Sequence, residues 1–230
     1  MASIKISKIS FSREINAGLK RIKKPIFENI NLEINHGEKV GLVGRNGAGK
    51  TTLLRVMAGI FEPDSGTIEI TGQVNTVLDS GFGLEQALTG RENAYSWAVL
   101  RGMKRCDAED SLQKIEEFSE LSDSFDHPVK TYSSGMLMRL VLSSELMLNP
   151  GGVLLIDEGF GVADASFQVK AQIEIEKLLE AASLLVLTSH SDELLRKFCS
   201  RGIVLGSKQI LFDGAINDAI DFYHNLNVVL

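Results

Sequence analysis

The chain has 230 residues, 44% of them hydrophobic and 23% charged, with a formal net charge of −6. That length favours one domain with room for a small subdomain, and the acidic balance argues against a nucleic-acid partner, which needs a basic footprint. The longest apolar runs, Val153 to Ile156 and Leu184 to Leu187, fall far short of the roughly 20 residues that cross a bilayer, so the chain is expected to be soluble by itself. No secretory signal opens it. Cys106 and Cys199 match no metal spacing and read as free, buried or half-buried thiols of a reducing compartment.

Ser3 to Phe11 alternates apolar and polar residues as a half-buried strand does, and Phe27 to Ile34 repeats the pattern, which predicts an antiparallel opening. Between them, Leu19-Lys20-Arg21-Ile22-Lys23-Lys24 reads as a solvated hairpin. The alternative is contact with anionic lipid headgroups, where each basic residue contributes about 1 kcal/mol. After the turn at His36-Gly37-Glu38, Lys39 to Val43 reads as a buried parallel strand, followed by a helix from Lys50 to about Ala58. Pro63 to Gly66 is turn chemistry before a strand at Thr67 to Thr71, and another strand covers Val74 to Leu78.

The stretch from Arg91 to Leu121 reads as mostly helical, with Leu112, Ile115, Phe118 and Leu121 on a core face. A helix from Ser134 to Leu148 precedes the strand at Val153, a helix from Phe167 to Ala181 precedes the strand at Leu184, and Gly202 to Asp213 is hairpin-like around Gly206. Strands alternating with helices predict an α/β fold whose parallel sheet is covered on both faces.

Four motifs in fixed order carry the chemistry: GRNGAGKTT at Gly44 to Thr52, TYSSGM at Thr131 to Met136, VLLIDE at Val153 to Glu158, and TSH at Thr188 to His190. The first fits the phosphate-loop pattern G-x-x-x-x-G-K-[ST]. Gly44, Gly47 and Gly49 let the backbone of Arg45, Asn46 and Ala48 approach phosphates, with a helix N-terminus aimed at the same place. Lys50 is expected to reach the β- and γ-phosphates, Thr51 to ligate Mg²⁺, and Thr52 to touch phosphate as well.

Asp157 follows four apolar residues, so it emerges at the C-terminal end of a buried strand, where open α/β sheets bind ligands, and can hold the metal. Glu158 can orient or deprotonate the attacking water. The plainer alternative for this acidic pair is a helix cap. His190 ends another strand and can stabilise charge growing on the γ-phosphate.

These motifs resemble the nucleotide-binding domain of ATP-binding-cassette (ABC) transporters over nearly the whole chain. The resemblance implies a P-loop NTPase cassette with a RecA-like core at about 1–78 and 150–214, a helical subdomain at about 88–149 and a short C-terminal helix at 215–224. TYSSGM is similar to the family's LSGGQ signature, with Ser133 and Gly135 matching its serine and second glycine. In the family that loop binds the γ-phosphate of ATP held by the opposite subunit. This implies a head-to-tail homodimer around two Mg-ATP, with Asp164 at the seam.

GRNGAGKTTLLR, ALTGREN at Ala87 to Asn93, KTYSSGM and GVADASF further resemble the ATPases of bacterial exporters that move capsular or O-antigen polysaccharide on a lipid carrier. A chain ending soon after Tyr223 resembles their short form. Its expected partner is a polytopic permease, and its place the cytoplasmic face of the inner membrane. A groove around Ser80 to Gly102, with Phe82, Tyr95 and Trp97 as candidate lining, would receive a permease helix; for Trp97 a core role is the more frequent alternative.

The chain departs from the family at the glutamine that usually opens the loop toward the transporter, where Ser80 stands beside Asp79. For the aromatic that stacks on adenine, Phe11 is the candidate, with a core role as the alternative. A soluble ATP-gated clamp acting on another partner is the second functional reading. A small-molecule phosphotransferase leaves TYSSGM unexplained.

Overall fold

The computed structural model describes residues 1–17, 20–77, 83–148, 152–157 and 165–228. They fall into two compact units, the first built from Met1–Leu78, Gly151–Glu158 and Ala181–Leu230, the second from Asp79–Pro150 and Gly159–Glu180.

In the first unit, β1 (Ser3–Ala17) pairs antiparallel with β2 (Lys20–Ile34) and with β4 (Ser65–Thr71), giving a three-stranded sheet in the order β2-β1-β4. The arms of the hairpin run past the expected limits at Phe11 and Phe27. Pairing continues from Ser12↔Pro25 through Ile15↔Ile22 to Ala17↔Lys20, so the basic segment belongs to β2. Register shifts between Ile6 and Ile9, and again around Phe11 and Ser12, change the phase of the alternation. A period-2 reading of the sequence therefore stops where the first bulges begin.

The second sheet has the order β5-β6-β7-β3-β8-β9, formed by β5 (Val74–Val77), β6 (Val153–Ile156), β7 (Leu184–Thr188), β3 (Lys39–Val43), β8 (Arg201–Gly206) and β9 (Gln209–Ala215). All neighbours are parallel except β8 and β9. Every residue of β6 and β7 is buried, as apolar strands covered on both faces must be.

One face shares a core with α1 (Lys50–Met57) and the antiparallel sheet: Val40, Leu42, Leu155 and Val186 cluster with Leu53, Leu54, Ile4 and Phe27. On the other face, the space beside Gly41 is filled by Leu195, Cys199 and Ile216, from α6 (Asp192–Phe198), its C-cap and α7 (Ile216–Val228). Helix α6 is missing from the sequence expectation. It is one short helix with only Leu195 and Phe198 buried, too few positions for a periodic signal. Burial pushes the Cys199 thiol up to about 12.

The second unit holds α2 (Gly90–Leu100), α3 (Arg105–Ser119), 3₁₀ turns at Ser122–Asp126 and Val129–Thr131, α4 (Ser134–Met147) and α5 (Ala165–Ala181). Leu112, Ile115, Phe118 and Leu121 are buried, as their spacing predicts. Cys106 is exposed rather than buried or half-buried, because Ala108, Ser111 and Leu112 take the inward positions of α3.

Residues 165–180, most of α5, pack with the helical unit. Phe167 meets Phe118 edge-on with ring centroids 5.7 Å apart, and Lys170 Nζ donates to the Phe118 carbonyl at 3.0 Å. Arg139 of α4 stacks its guanidinium 4.7 Å from the Phe167 centroid. Among the described residues no helix is long and apolar enough to cross a membrane.

Candidate active site

The phosphate loop leaves the sheet at the C-terminal end of β3 and enters α1. Gly44 stands where a Cβ would lie 2.5 Å from the Leu205 carbonyl oxygen, so the close passage of the loop over β8 excludes any side chain there. Gly49, in left-handed backbone, caps α1, and its carbonyl accepts from Leu53 N at 2.8 Å. Lys50 Nζ donates to the carbonyls of Gly44 at 2.6 Å and Arg45 at 3.3 Å, which holds the ammonium over the loop. Ala48 N donates to the Arg45 carbonyl at 3.0 Å and closes the loop's internal turn.

A cleft of about 310 Å³ opens over this loop, walled by Asn46, Gly47, Gly49, Lys50, Thr51 and Thr52. Asp157 and His190 join it from the C-terminal ends of β6 and β7. Asp157 is buried, its amide donates to the Val77 carbonyl at 3.0 Å, and its Oδ1 accepts from Thr188 Oγ1 at 2.5 Å. His190 is exposed at the rim.

Thr188 is the residue that sequence reasoning left without a role. Its only signal is a hydroxyl closing an otherwise apolar strand, and its partner comes from the neighbouring strand. Arg13 and Ile26, from the hairpin, complete the wall and were not anticipated either.

Phe11 is not brought to this cleft. Its ring stacks on Phe61, with centroids 5.5 Å apart and planes 13° from parallel, and lies 5.9 Å from Phe27, against the core. Glu158, Asp164, Asp79, Ser80 and Phe82 lie outside the described residues.

In the second unit, Ser133 is the N-cap of α4, its hydroxyl accepting from Met136 N at 3.3 Å. Ser133 and Ser134 are exposed and Gly135 half-buried, so the N-terminal amides of α4 open toward solvent.

The segment Ala87 to Asn93 fixes this loop. Thr89 and Glu92 form a capping box on α2, and the buried Asn93 amide ties the turn before it, donating to the Glu85 and Thr89 carbonyls and accepting from Glu85 N. Tyr132 donates its hydroxyl to the Ser124 carbonyl at 2.5 Å and lies directly over Gly90. Burial pushes its ionisation above the usual tyrosine range, so it remains a donor at neutral pH. Tyr95 and Trp97 pack against the core of this unit, and Trp97 Nε1 donates to the Gly83 carbonyl at 3.3 Å.

A Cβ on Gly90 would lie 2.4 Å from Tyr132 Oη and 3.0 Å from the Phe125 carbonyl oxygen. Gly90→Ala is therefore expected to destabilise the chain by about 1–3 kcal/mol in denaturant unfolding. Adding Tyr132→Phe should recover part of that loss, because it removes the atom being struck. Strict additivity of the two changes would show that the contact is not the cause.

Residues 27–161 match the family model described as ABC transporter. The O-antigen export system ATP-binding protein RfbE of Yersinia enterocolitica is 44% identical over 174 residues, covering 76% of this chain and 72% of that protein. The polysialic acid transport ATP-binding protein KpsT of Escherichia coli is 38% identical over 199 residues, 86% of this chain and 90% of that one. Among solved structures, the dimeric ATP-binding cassette MJ0796 in a post-hydrolysis state bound to ADP and Pi matches in fold, with a TM-score of 0.71 at 22% identity over 93% of this chain and 98% of that chain. At this identity and coverage the chain belongs to the ABC transporter family, as one of its ATP-binding, ATP-hydrolysing subunits.

Proposed function

We propose that this chain powers export of a lipid-linked polysaccharide, O-antigen or capsule, through a partner membrane permease, working as a head-to-tail homodimer around two Mg-ATP at the cytoplasmic face of a bacterial inner membrane. The observation that carries the reading is the convergence of Lys50, Thr51, Asp157 and His190 on one cleft, in a chain 44% identical to an O-antigen export ATP-binding protein.

The donor set suits Mg²⁺, which takes hard oxygen ligands: the Thr51 hydroxyl and the Asp157 carboxylate border the same cleft. When bound, the ion neutralises charge on the β- and γ-phosphates. Thr188 positions Asp157 by occupying one carboxylate oxygen. The loop amides and Lys50 bind phosphate, Glu158 orients and deprotonates the attacking water, and His190 donates toward charge developing on the γ-phosphate. Ser133 and Gly135 complete the partner's site from the α4 N-terminus, with Asp164 at the seam. Hydrolysis of this kind requires positioning more than covalent chemistry.

The test is oligomeric state by light scattering with and without Mg-ATP, followed by capture of a multi-span permease from membranes of cells that express the chain. ATP-dependent dimers that retain the permease support the reading. Dimers without a membrane partner favour the soluble clamp, and a chain that stays monomeric with ATP sinks the head-to-tail arrangement.

A further inference from the structure

The C-terminus of α3 is a junction of three helices, all within the second unit. An α-helix leaves its last carbonyls without partners of its own, and here cations from two other helices meet them. Lys170 Nζ of α5 donates to the Phe118 carbonyl at 3.0 Å, and Arg139 Nη1 of α4 donates to the Ser119 carbonyl at 3.2 Å. Glu120, the C-cap, stands in left-handed backbone at φ 56°, where glycine is usual. Its carboxylate accounts for the residue type: Oε2 accepts from Arg139 at 2.8 Å and Oε1 from Lys170 Nζ at 3.0 Å.

Aromatic rings close the junction. Phe118 and Phe167 meet edge-on, Lys170 Nζ lies 4.7 Å from the Phe118 centroid, and the Arg139 guanidinium lies 4.7 Å from the Phe167 centroid. Arg139 thus holds α3 through a carbonyl and a carboxylate and α5 through a ring. Only 18% of its side chain is exposed, so solvent screens these contacts less than it screens a surface pair. A planar guanidinium can make the fork and the stack together, which a lysine ammonium does not reproduce.

Two functional segments start beside this junction. Arg139 lies less than two turns into α4, about 9 Å along the axis from its N-cap Ser133. Phe167 is the third residue of α5, which begins directly after Asp164 in the chain. On the reading above, Ser133, Gly135 and Asp164 are the residues that meet the partner subunit.

We infer that Arg139 is a positioning residue for the shared nucleotide site: it clamps α4 to the first turn of α5 across the end of α3, so that the loop at Ser133 and Gly135 and the segment ending at Asp164 are presented to the partner as one piece. The inference rests on the head-to-tail dimer proposed above and assigns what holds its two contact segments together. Arg139 does not line the phosphate-loop cleft. Nucleotide binding by a single chain should therefore be indifferent to it, whereas closure on a second chain should not.

The test uses Arg139→Met, which keeps the stem and removes the guanidinium, and Arg139→Lys, which returns a cation to Glu120 without the planar stack. Mg-ADP affinity is measured by calorimetry on the full chain, and ATP-driven dimerisation by light scattering alongside steady-state turnover. Both variants are expected to hold ADP within about twofold of wild type and to lose about tenfold in dimerisation and in kcat, the scale on which a displaced contact segment acts. Phe167→Leu, on the other side of the stack, should lose as much, and Arg139→Met combined with Phe167→Leu no more than either alone. Wild-type dimerisation and turnover in Arg139→Met, or strictly additive losses in the pair, would overturn the clamp and leave the dimer standing. Full recovery in Arg139→Lys would do the same, by placing the role in the Glu120 ion pair rather than in the bridge to α5. An equal fall in ADP affinity would make Arg139 a residue of the fold alone. A wild-type chain that stays monomeric with Mg-ATP overturns the dimer reading itself, and the clamp with it.

Discussion

Glu158→Gln is expected to bind ATP, to accumulate as a closed dimer, and to turn over more slowly by about 10²- to 10⁴-fold, the range lost when a general base is removed. The substitution keeps the shape and one acceptor oxygen but removes the charge that takes a proton from water. Binding should survive, because phosphate is held by the loop amides and Lys50 rather than by this carboxylate. If ATP bridges two half-sites, nucleotide affinity and dimerisation are reciprocally linked, so blocking the exit through hydrolysis traps the dimer. Phosphate release and light scattering on the same sample measure both halves. Wild-type turnover would remove Glu158 from its role, and lost turnover without ATP-stabilised dimers would leave the residue in place but deny the bridge.

The second large effect is expected at Lys50. Its ammonium lies 2.6 Å from the Gly44 carbonyl, already inside the phosphate loop, so it meets the nucleotide without first being drawn in from solvent. Lys50→Ala is expected to lower ATPase activity by about 10²- to 10³-fold, as loss of one preorganised donor does elsewhere. It should also abolish most of the stabilisation by Mg-ATP, which for wild type at 100 times its Kd amounts to about 2.7 kcal/mol. The melting temperature without nucleotide should move little, since the ammonium caps two loop carbonyls that water can reach once it is gone. A nucleotide-induced shift equal to that of wild type would show that Lys50 does not bind the phosphates. Because Lys50 and Glu158 act on different steps, the first variant should fail to dimerise with ATP and the second should fail to come apart.

What could be read directly from the chain is what the backbone must do locally. The glycines of GRNGAGKTT, the apolar runs before Asp157 and Thr188, and the three-residue spacing of Leu112, Ile115, Phe118 and Leu121 each record a constraint set by near neighbours in sequence. A phosphate loop, two doubly covered strands and an amphipathic helix follow from them, and the α/β cassette follows in turn. The ALTGREN segment was readable as a resemblance, but its reason was not. Gly90 has no side chain because Tyr132, far along the chain, lies over it, and Asn93 is buried because it ties the turn at Glu85 to the start of α2.

The remainder was decided by register and sheet order, which couple residues that no sequence window contains. Asp157 is oriented by Thr188 only because β6 and β7 are neighbours in the order β5-β6-β7-β3-β8-β9. Phe11 turns to the core because Phe61 arrives beside it, and Ile26 turns to the phosphate loop because a bulge displaces it from the pairing of β1 and β2. The sequence by itself determined that this protein carries a glycine loop of the phosphate-binding pattern and where that loop begins. Only the tertiary structure decided which side chains wall the rest of the cleft, because a side chain's direction depends on pairing phase, and each bulge resets that phase.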